Sequence, residues 1–259
     1  HTYQKILKFK NLKELGELVS PHSYRILKKD CLDLPDKVYV KRYVELTDDQ
    51  KKAYAQMKEN ALATLNGSSA TAFNVLTQLI RLHQITCGHM ATDSHDIIDI
   101  KSNRLNELMQ ILGENSGKVI IWANYIYDIN QIKKAIEKEF GNDSYCTYYG
   151  ATLAKDRQKC INDFQDPNSP VRFFIGNTQT GGYGITLTAA STVIYYSNNY
   201  DLEKRIQSED RAHRIGQMNK VLYIDLVAKG TVDVKIIRSL RNKVNIAKEI
   251  SGEELITWI

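Results

Sequence analysis

From residue 102 onward the chain alternates two kinds of hydrophobic spacing. Leu105, Leu108, Met109 and Leu112 recur at three- and four-residue intervals, as do Ile126, Ile129, Ile132, Ile136 and Phe140, and each stripe predicts a helix. Between them Lys118-Val119-Ile120-Ile121-Trp122 is a short continuous apolar run, the kind buried on both faces of a parallel sheet. Further strands are predicted near 145–148, 171–175, 192–196 and 221–226, with helices near 153–165, 202–213 and 232–248. Strands alternating with helices in this way predict βαβ units and an α/β fold around a central parallel sheet.

The first hundred residues read differently. Residues 1–36 alternate basic and apolar letters and end in Leu34-Pro35, and a β-rich run follows at 38–44. Thr47 with Gln50 three residues later predicts an N-cap with a capping box, starting a helix that carries Tyr54, Met57, Ala61 and Leu65 on one side. After a break at Asn66-Gly67-Ser68-Ser69, a second helix is predicted to turn Phe73, Leu76, Leu79, Ile80 and His83 inward.

Ligands of open parallel sheets gather at the carboxyl ends of the strands. Three predicted loops fall there: Asn124-Tyr125, Tyr149-Gly150, and Asn177 through Gly184. The last contains Thr178, Thr180, Gly181, Gly182 and Gly184, hydroxyl donors and small residues of the types that grip a phosphate backbone without reading bases. Further on, Gln207-Ser208-Glu209-Asp210-Arg211-Ala212-His213-Arg214-Ile215-Gly216-Gln217 sets two arginines one helical turn apart. Planar guanidinium forks at that spacing suit the oxygens of a polyphosphate; a solvated face of a surface helix is the alternative reading of the same letters.

The pattern Q-x-x-D-R-x-H-R-x-G-Q closely resembles motif VI of the SWI/SNF-type ATPases, the DNA-translocating branch of helicase superfamily II, and the run from Thr178 to Ala190 resembles the family's motif V at the expected distance. Weaker likenesses extend from Leu27-Lys28-Lys29-Asp30 and Leu34-Pro35-Asp36-Lys37 to Lys229-Gly230-Thr231-Val232-Asp233. The resemblance implies a three-layer RecA-like lobe over 102–259, a strand and helical-hairpin protrusion over 37–101, and the tail of a preceding lobe with its crossover over 1–36. It further implies that ATP with Mg²⁺ binds between two lobes and that Arg211 and Arg214 reach it as arginine fingers. Gln207, Asp210, Gly182 and Gly184 would serve the nucleotide. Asn124, Tyr149, Gly150, Asn177, Thr178, Thr180 and Gly181 would meet the backbone of double-stranded DNA. A strand-separating DNA or RNA helicase, or a non-catalytic nucleic-acid-binding module, remains open as an alternative.

No G-x-x-x-x-G-K-[ST] loop and no D-E-x-[HD] pair occurs in the sequence, so phosphate cradling and Mg²⁺ binding are expected mainly from the preceding lobe of the same polypeptide, and residues 1–259 alone are expected to be inactive. Motif V carries Gln179-Thr180 where arginine-alanine is common in the family, and Asn198-Asn199-Tyr200-Asp201 stands where Trp-Asn-Pro is common, which points to a compact bacterial or phage-type member.

Composition changes this picture little. The net charge of +5 permits a polyanionic partner. Cys31, Cys87, Cys146 and Cys160 are scattered without C-x-x-C spacing, so neither a disulfide framework nor a zinc site is expected, and His83, Cys87 and His89 read as a helix end. No apolar run approaches the roughly 20 residues that span a bilayer. A reducing cytoplasmic, DNA-associated setting is expected, with no membrane partner.

Overall fold

The computed structural model describes residues 10–23, 31–66, 72–94, 96–181 and 184–251. The expectations placed on Leu27–Asp30, on the break at 67–69 and on Gly182 lie outside these residues, as do those on the side chains of Ala61, Leu65 and Phe73.

A first helix, α1 (Leu12–Val19), precedes strand β1 (Lys37–Val44). The helices α2 (Asp48–Asn66) and α3 (Ala72–Cys87) follow, then a small antiparallel pair, β2 (His89–Ala91) and β3 (Ile97–Asp99). The remaining elements are α4 (Arg104–Glu114), β4 (Lys118–Trp122), α5 (Ile126–Phe140), β5 (Tyr145–Tyr148), α6 (Ala154–Gln165), β6 (Phe173–Gly176), α7 (Thr178–Gly181), β7 (Ala190–Tyr195), α8 (Leu202–Glu209), β8 (Val221–Ala228) and α9 (Val232–Ser251). Six strands form one sheet in the order β1-β8-β7-β4-β6-β5, every neighbouring pair parallel. Strand β1 is therefore an edge of the main sheet, in register with β8 from Lys37↔Val221 to Val44↔Ala228.

Period-two alternation divides the core into two layers. Val119 and Ile121 of β4, Phe173 and Ile175 of β6, and Ile194 of β7 pack beneath α4 and α5 with Leu108, Leu112, Ile129, Ile132 and Ile136. On the other face Ile120, Trp122, Phe174, Val193 and Tyr195 pack with Cys160 and Phe164 of α6 and with Ala212. Burial on both faces is why these strands read as continuous apolar runs rather than alternating ones. The order places β6 and β7 on either side of β4, so the chain reverses direction across the sheet there, opening a crevice at the strands' carboxyl ends.

The capping box forms as expected: the Gln50 amide N–H donates to Thr47 Oγ1 at 3.2 Å, and Gln50 Oε1 accepts from the Thr47 amide at 3.1 Å. Three other expectations are corrected. Leu76, Leu79 and Ile80 face outward on α3, because among its described side chains those that reach the core lie in the last turns, from Leu82 to Cys87. The helix expected over 202–213 ends at Glu209. Its ladder is interrupted at Arg211, whose amide donates to the Ser208 carbonyl at 3.3 Å while its Nε takes the Gln207 carbonyl at 3.0 Å, and the Arg211 carbonyl accepts from the Leu187 amide at 2.9 Å. Finally, Cys146 of β5 and Cys160 of α6 form a disulfide across a Cα separation of 5.4 Å. It arises from strand-on-helix packing, which a search for C-x-x-C spacing does not register.

Candidate nucleotide and nucleic-acid interface

The residues after α8 form a turn rather than a further helical turn, and it is this turn that brings the two arginines together. Arg211 Nε donates to the Gln207 carbonyl at 3.0 Å. Arg211 Nη1 and Arg214 Nη1 both donate to the carbonyl of Ile185, at 3.2 and 3.4 Å. Burial and the neighbouring charge of Arg214 push the Arg211 guanidinium below its ordinary range, with Asp210 acting in the opposite sense. Two like charges converging on one shared carbonyl repel each other, and a polyphosphate anion is the kind of group that favours such a pair.

Gln217 locks the turn against the loop after α7. Its Nε2 lies 3.2, 2.9 and 3.1 Å from the carbonyls of Thr188, Ala190 and Ala212, and its Oε1 accepts from the Asn219 amide. Together with the Leu187–Arg211 main-chain bond, these contacts make the two sequence motifs one structural unit.

Gln207 lies on the last turn of α8, where its Nε2 donates to Glu203 at 2.8 Å while its Oε1 is shielded and has no partner. That orphan acceptor fits a site awaiting a ligand donor. Asp210 accepts from Lys37 at 3.4 Å. Gly184 is exposed with φ +69°, a left-handed conformation that favours glycine. Gly181 is needed for a different reason: a Cβ there would lie 2.5 Å from the indole of Trp122, so the residue lets α7 settle on that buried ring.

The loops at the carboxyl ends of β4 and β6 are joined. Asn177 Nδ2 donates to the Asn124 carbonyl at 2.9 Å, Asn177 Oδ1 accepts from the Gln179 amide at 2.7 Å, and the Asn124 amide donates to Ser197 Oγ at 2.8 Å. Asn177 therefore spends its side chain on the loop, and Thr178 is buried, whereas Thr180 is half-buried. After β5, the Tyr149 and Gly150 carbonyls accept from Arg157 at 3.3 and 3.1 Å, and Gly150 is exposed. A cavity of about 390 Å³ lies beside this edge, lined by Tyr145, Thr147, Tyr149 and Lys159, and no residue of the arginine turn lines it.

Two buried arginines position this surface and escaped the sequence reading. Arg205 of α8 pairs with Glu209 at 2.8 Å and with Asp225 at 2.5 and 3.2 Å, and its guanidinium lies 3.4 Å from the Tyr195 ring centroid. Asp225 in the middle of an apolar strand was the available signal, since a buried carboxylate demands a partner. Arg104 pairs with Asp233 and donates to the carbonyls of Thr86, Tyr196 and Leu226. Asp233 also accepts from Thr86 Oγ1 at 3.0 Å, and His83 lies 3.6 Å from it. Among the described residues no group of three or more His, Cys, Asp or Glu side chains could hold a metal ion, and no helix is long and apolar enough to cross a membrane.

The helicase conserved C-terminal domain matches residues 101–216. Saccharomyces cerevisiae ISW1, an ISWI chromatin-remodeling complex ATPase, is 29% identical over 92% of this chain, which spans 22% of that relative's length. The Sulfolobus solfataricus SWI2/SNF2 ATPase C-terminal domain superposes with a TM-score of 0.62 at 26% identity, covering 83% of this chain and 90% of its own. The Sulfolobus solfataricus SWI2/SNF2 ATPase core in complex with double-stranded DNA gives a TM-score of 0.65 at 28% identity, covering 93% of this chain and 52% of its own.

Proposed function

The chain belongs to the SWI2/SNF2-type helicase-like ATPases through their C-terminal RecA-like lobe, and from that premise we propose that it completes the ATP site of a double-stranded DNA translocase and grips the DNA backbone. The observation that carries the reading is the convergence of Arg211 and Arg214 on the Ile185 carbonyl, with the shielded Gln207 acceptor one turn away. ATP with Mg²⁺, when bound between this lobe and a preceding one, supplies the phosphoryl group and the free energy. On this side of the cleft Arg211 and Arg214 neutralise charge developing on phosphate oxygens, Gln207 and Gly184 border the nucleotide, and Asp210 offsets the arginines' mutual repulsion. Arginine fingers of this kind contribute about 10³–10⁵ in rate. The preceding lobe holds the metal.

The DNA grip is assigned to the carboxyl-end loops. Asn124, Tyr149, Gly150, Thr178, Thr180 and Gly181 lie on them, with main-chain and hydroxyl groups that serve phosphates rather than base edges. Since Asn177 is committed within its loop, it shapes this surface instead of touching DNA. We divide the chain into 1–36, tail and crossover; 37–101, strand and protrusion; and 102–259, the lobe proper. A DNA-associated setting follows from this reading.

The deciding experiment is steady-state ATP hydrolysis by the full two-lobe protein with and without double-stranded DNA, alongside a strand-displacement assay. DNA-stimulated turnover with little unwinding supports a translocase. Robust unwinding assigns a strand-separating helicase, and turnover indifferent to DNA removes the proposal.

A further inference from the structure

The arginine turn is held from two sides, and the second side is the segment that leads into β1. His213 Nε2 donates to the Pro35 carbonyl at 2.7 Å; a carbonyl only accepts, so Nε2 carries the proton. Lys37 Nζ lies 3.1 Å from Glu209 Oε2 and 3.4 Å from Asp210 Oδ1. Tyr39 Oη donates to the same Glu209 oxygen at 2.8 Å, while the other Glu209 oxygen holds Arg205. The segment is itself tied to the sheet where the Asp36 carbonyl accepts from the Val221 amide at 3.2 Å. Pro35, Lys37 and Tyr39 thus contact the residues immediately before and between the two arginines.

We propose that His213 and Lys37 are positioning residues that couple the interlobe crossover to the arginine turn, so that movement of the crossover sets where Arg211 and Arg214 stand. The proposal rests on the reading of this chain as the second lobe of a translocase, with the residues before β1 leading from the first. The helical ladder is interrupted at Arg211, whose amide reaches Ser208 rather than Gln207, so regular helical hydrogen bonding does not by itself fix the turn. On one side Leu187, Ile185 and Gln217 bind it to the preceding loop; on the other the bond from His213 binds it to the end of the crossover at Pro35, and the ion pairs of Lys37 bind it to the first residue of β1, where the crossover enters the sheet. A shift of about 1 Å at a catalytic group can cost about 10²-fold in rate, so a contact of this length suffices to link lobe orientation to turnover.

The test uses the full-length two-lobe protein carrying His213→Ala, His213→Gln or Lys37→Met, with Arg211→Lys in parallel. Glutamine offers an N–H donor at about the reach of histidine Nε2. His213→Ala and Lys37→Met should each lower kcat about tenfold while the KM for ATP stays within about twofold and thermal unfolding is unchanged. His213→Gln should recover most of the lost turnover. Unchanged kcat in His213→Ala overturns the coupling, as do equal losses in the alanine and glutamine variants, a change confined to KM, or a loss matched by a lower unfolding temperature. Should Arg211→Lys leave turnover intact, the arginine-finger reading itself fails; should it abolish turnover while His213→Ala does not, only the coupling falls.

Discussion

Arg211 and Arg214 share one acceptor, the main-chain carbonyl of Ile185, although the helix expected to align them stops at Glu209. A turn and a neighbouring loop do the aligning instead. The arrangement brings two positive charges onto one shared neutral oxygen, with Asp210 acting against their mutual repulsion.

Replacing either arginine with lysine keeps the charge and much of the stem but loses the fork. In the full protein, Arg211→Lys or Arg214→Lys is expected to lower DNA-stimulated turnover by about 10²-fold or more. Thermal unfolding should stay within about 0.5 kcal/mol of the parent. Steady-state ATPase measured beside a thermal melt checks both, and normal turnover in both variants would leave the arginines as surface decoration.

Residues 1–259 alone contain no P-loop and no paired acidic motif, so half the phosphate ligands are missing from this span. The isolated chain is expected to hydrolyse ATP no faster than background, with or without DNA. Turnover that disappears in Arg211→Lys would contradict the two-lobe account.

Much of this architecture was legible in the letters, for reasons specific to each element. Strand β4 announced itself because Val119 through Trp122 are buried on both faces, and the α4 and α5 stripes because one face of each helix meets the sheet. The end of α8 was not legible: Asp210 through Arg214 have ordinary helical propensities, and the tertiary bonds on this turn, from Leu187, Ile185 and Pro35 among them, join it to distant segments. Likewise Leu76, Leu79 and Ile80 have helical spacing without a core to face, because α3 meets the sheet only at its end. The arginine pair was found by its motif, while Arg104 and Asp233 stand 129 positions apart and only the fold unites them.

Arg104 and Asp233 are both buried, and Arg104 additionally satisfies three main-chain carbonyls from α3, β8 and the end of β7. Removing one partner strands the other charge in the core. Asp233→Asn or Arg104→Met is accordingly expected to cost about 3–5 kcal/mol, read as a lower urea midpoint at unchanged slope. A cost below about 1 kcal/mol would show that the pair's neighbours take over its hydrogen bonds.

Gln217 offers a distinct test of the joint between the two motifs. Gln217→Leu leaves buried carbonyls of Thr188, Ala190 and Ala212 without their amide donor, and an unsatisfied buried group costs about 1–3 kcal/mol. The expected signature is lower stability together with faster exchange of the Leu187 amide, whose bond to the Arg211 carbonyl the glutamine braces. Destabilisation with exchange at this amide unaltered would mean that the motifs are held together elsewhere.

His83 predicts the form of the pH dependence. Burial lowers its pKa from the ordinary 6.5, and the charges of Arg104 and His89 push the same way, while Asp233 and Asp128 resist. The unfolded chain therefore takes up a proton near pH 6.5 that the folded chain refuses, so stability is complete above that pH and falls as pH drops toward the folded value. The slope is at most about 1.4 kcal/mol per pH unit for one such proton. Asp233 acts at lower pH: burial alone would raise its carboxyl, but Arg104, His83 and the Ala228 amide together hold it below the ordinary 3.8, so its contribution is lost only as pH falls below that point. His83→Gln keeps a polar partner for Tyr125, which lies 2.8 Å from the ring, yet cannot titrate. Urea midpoints at pH 7.5 and 5.5 should differ in the parent and converge in this variant; an undiminished difference would place the acid sensitivity on another group.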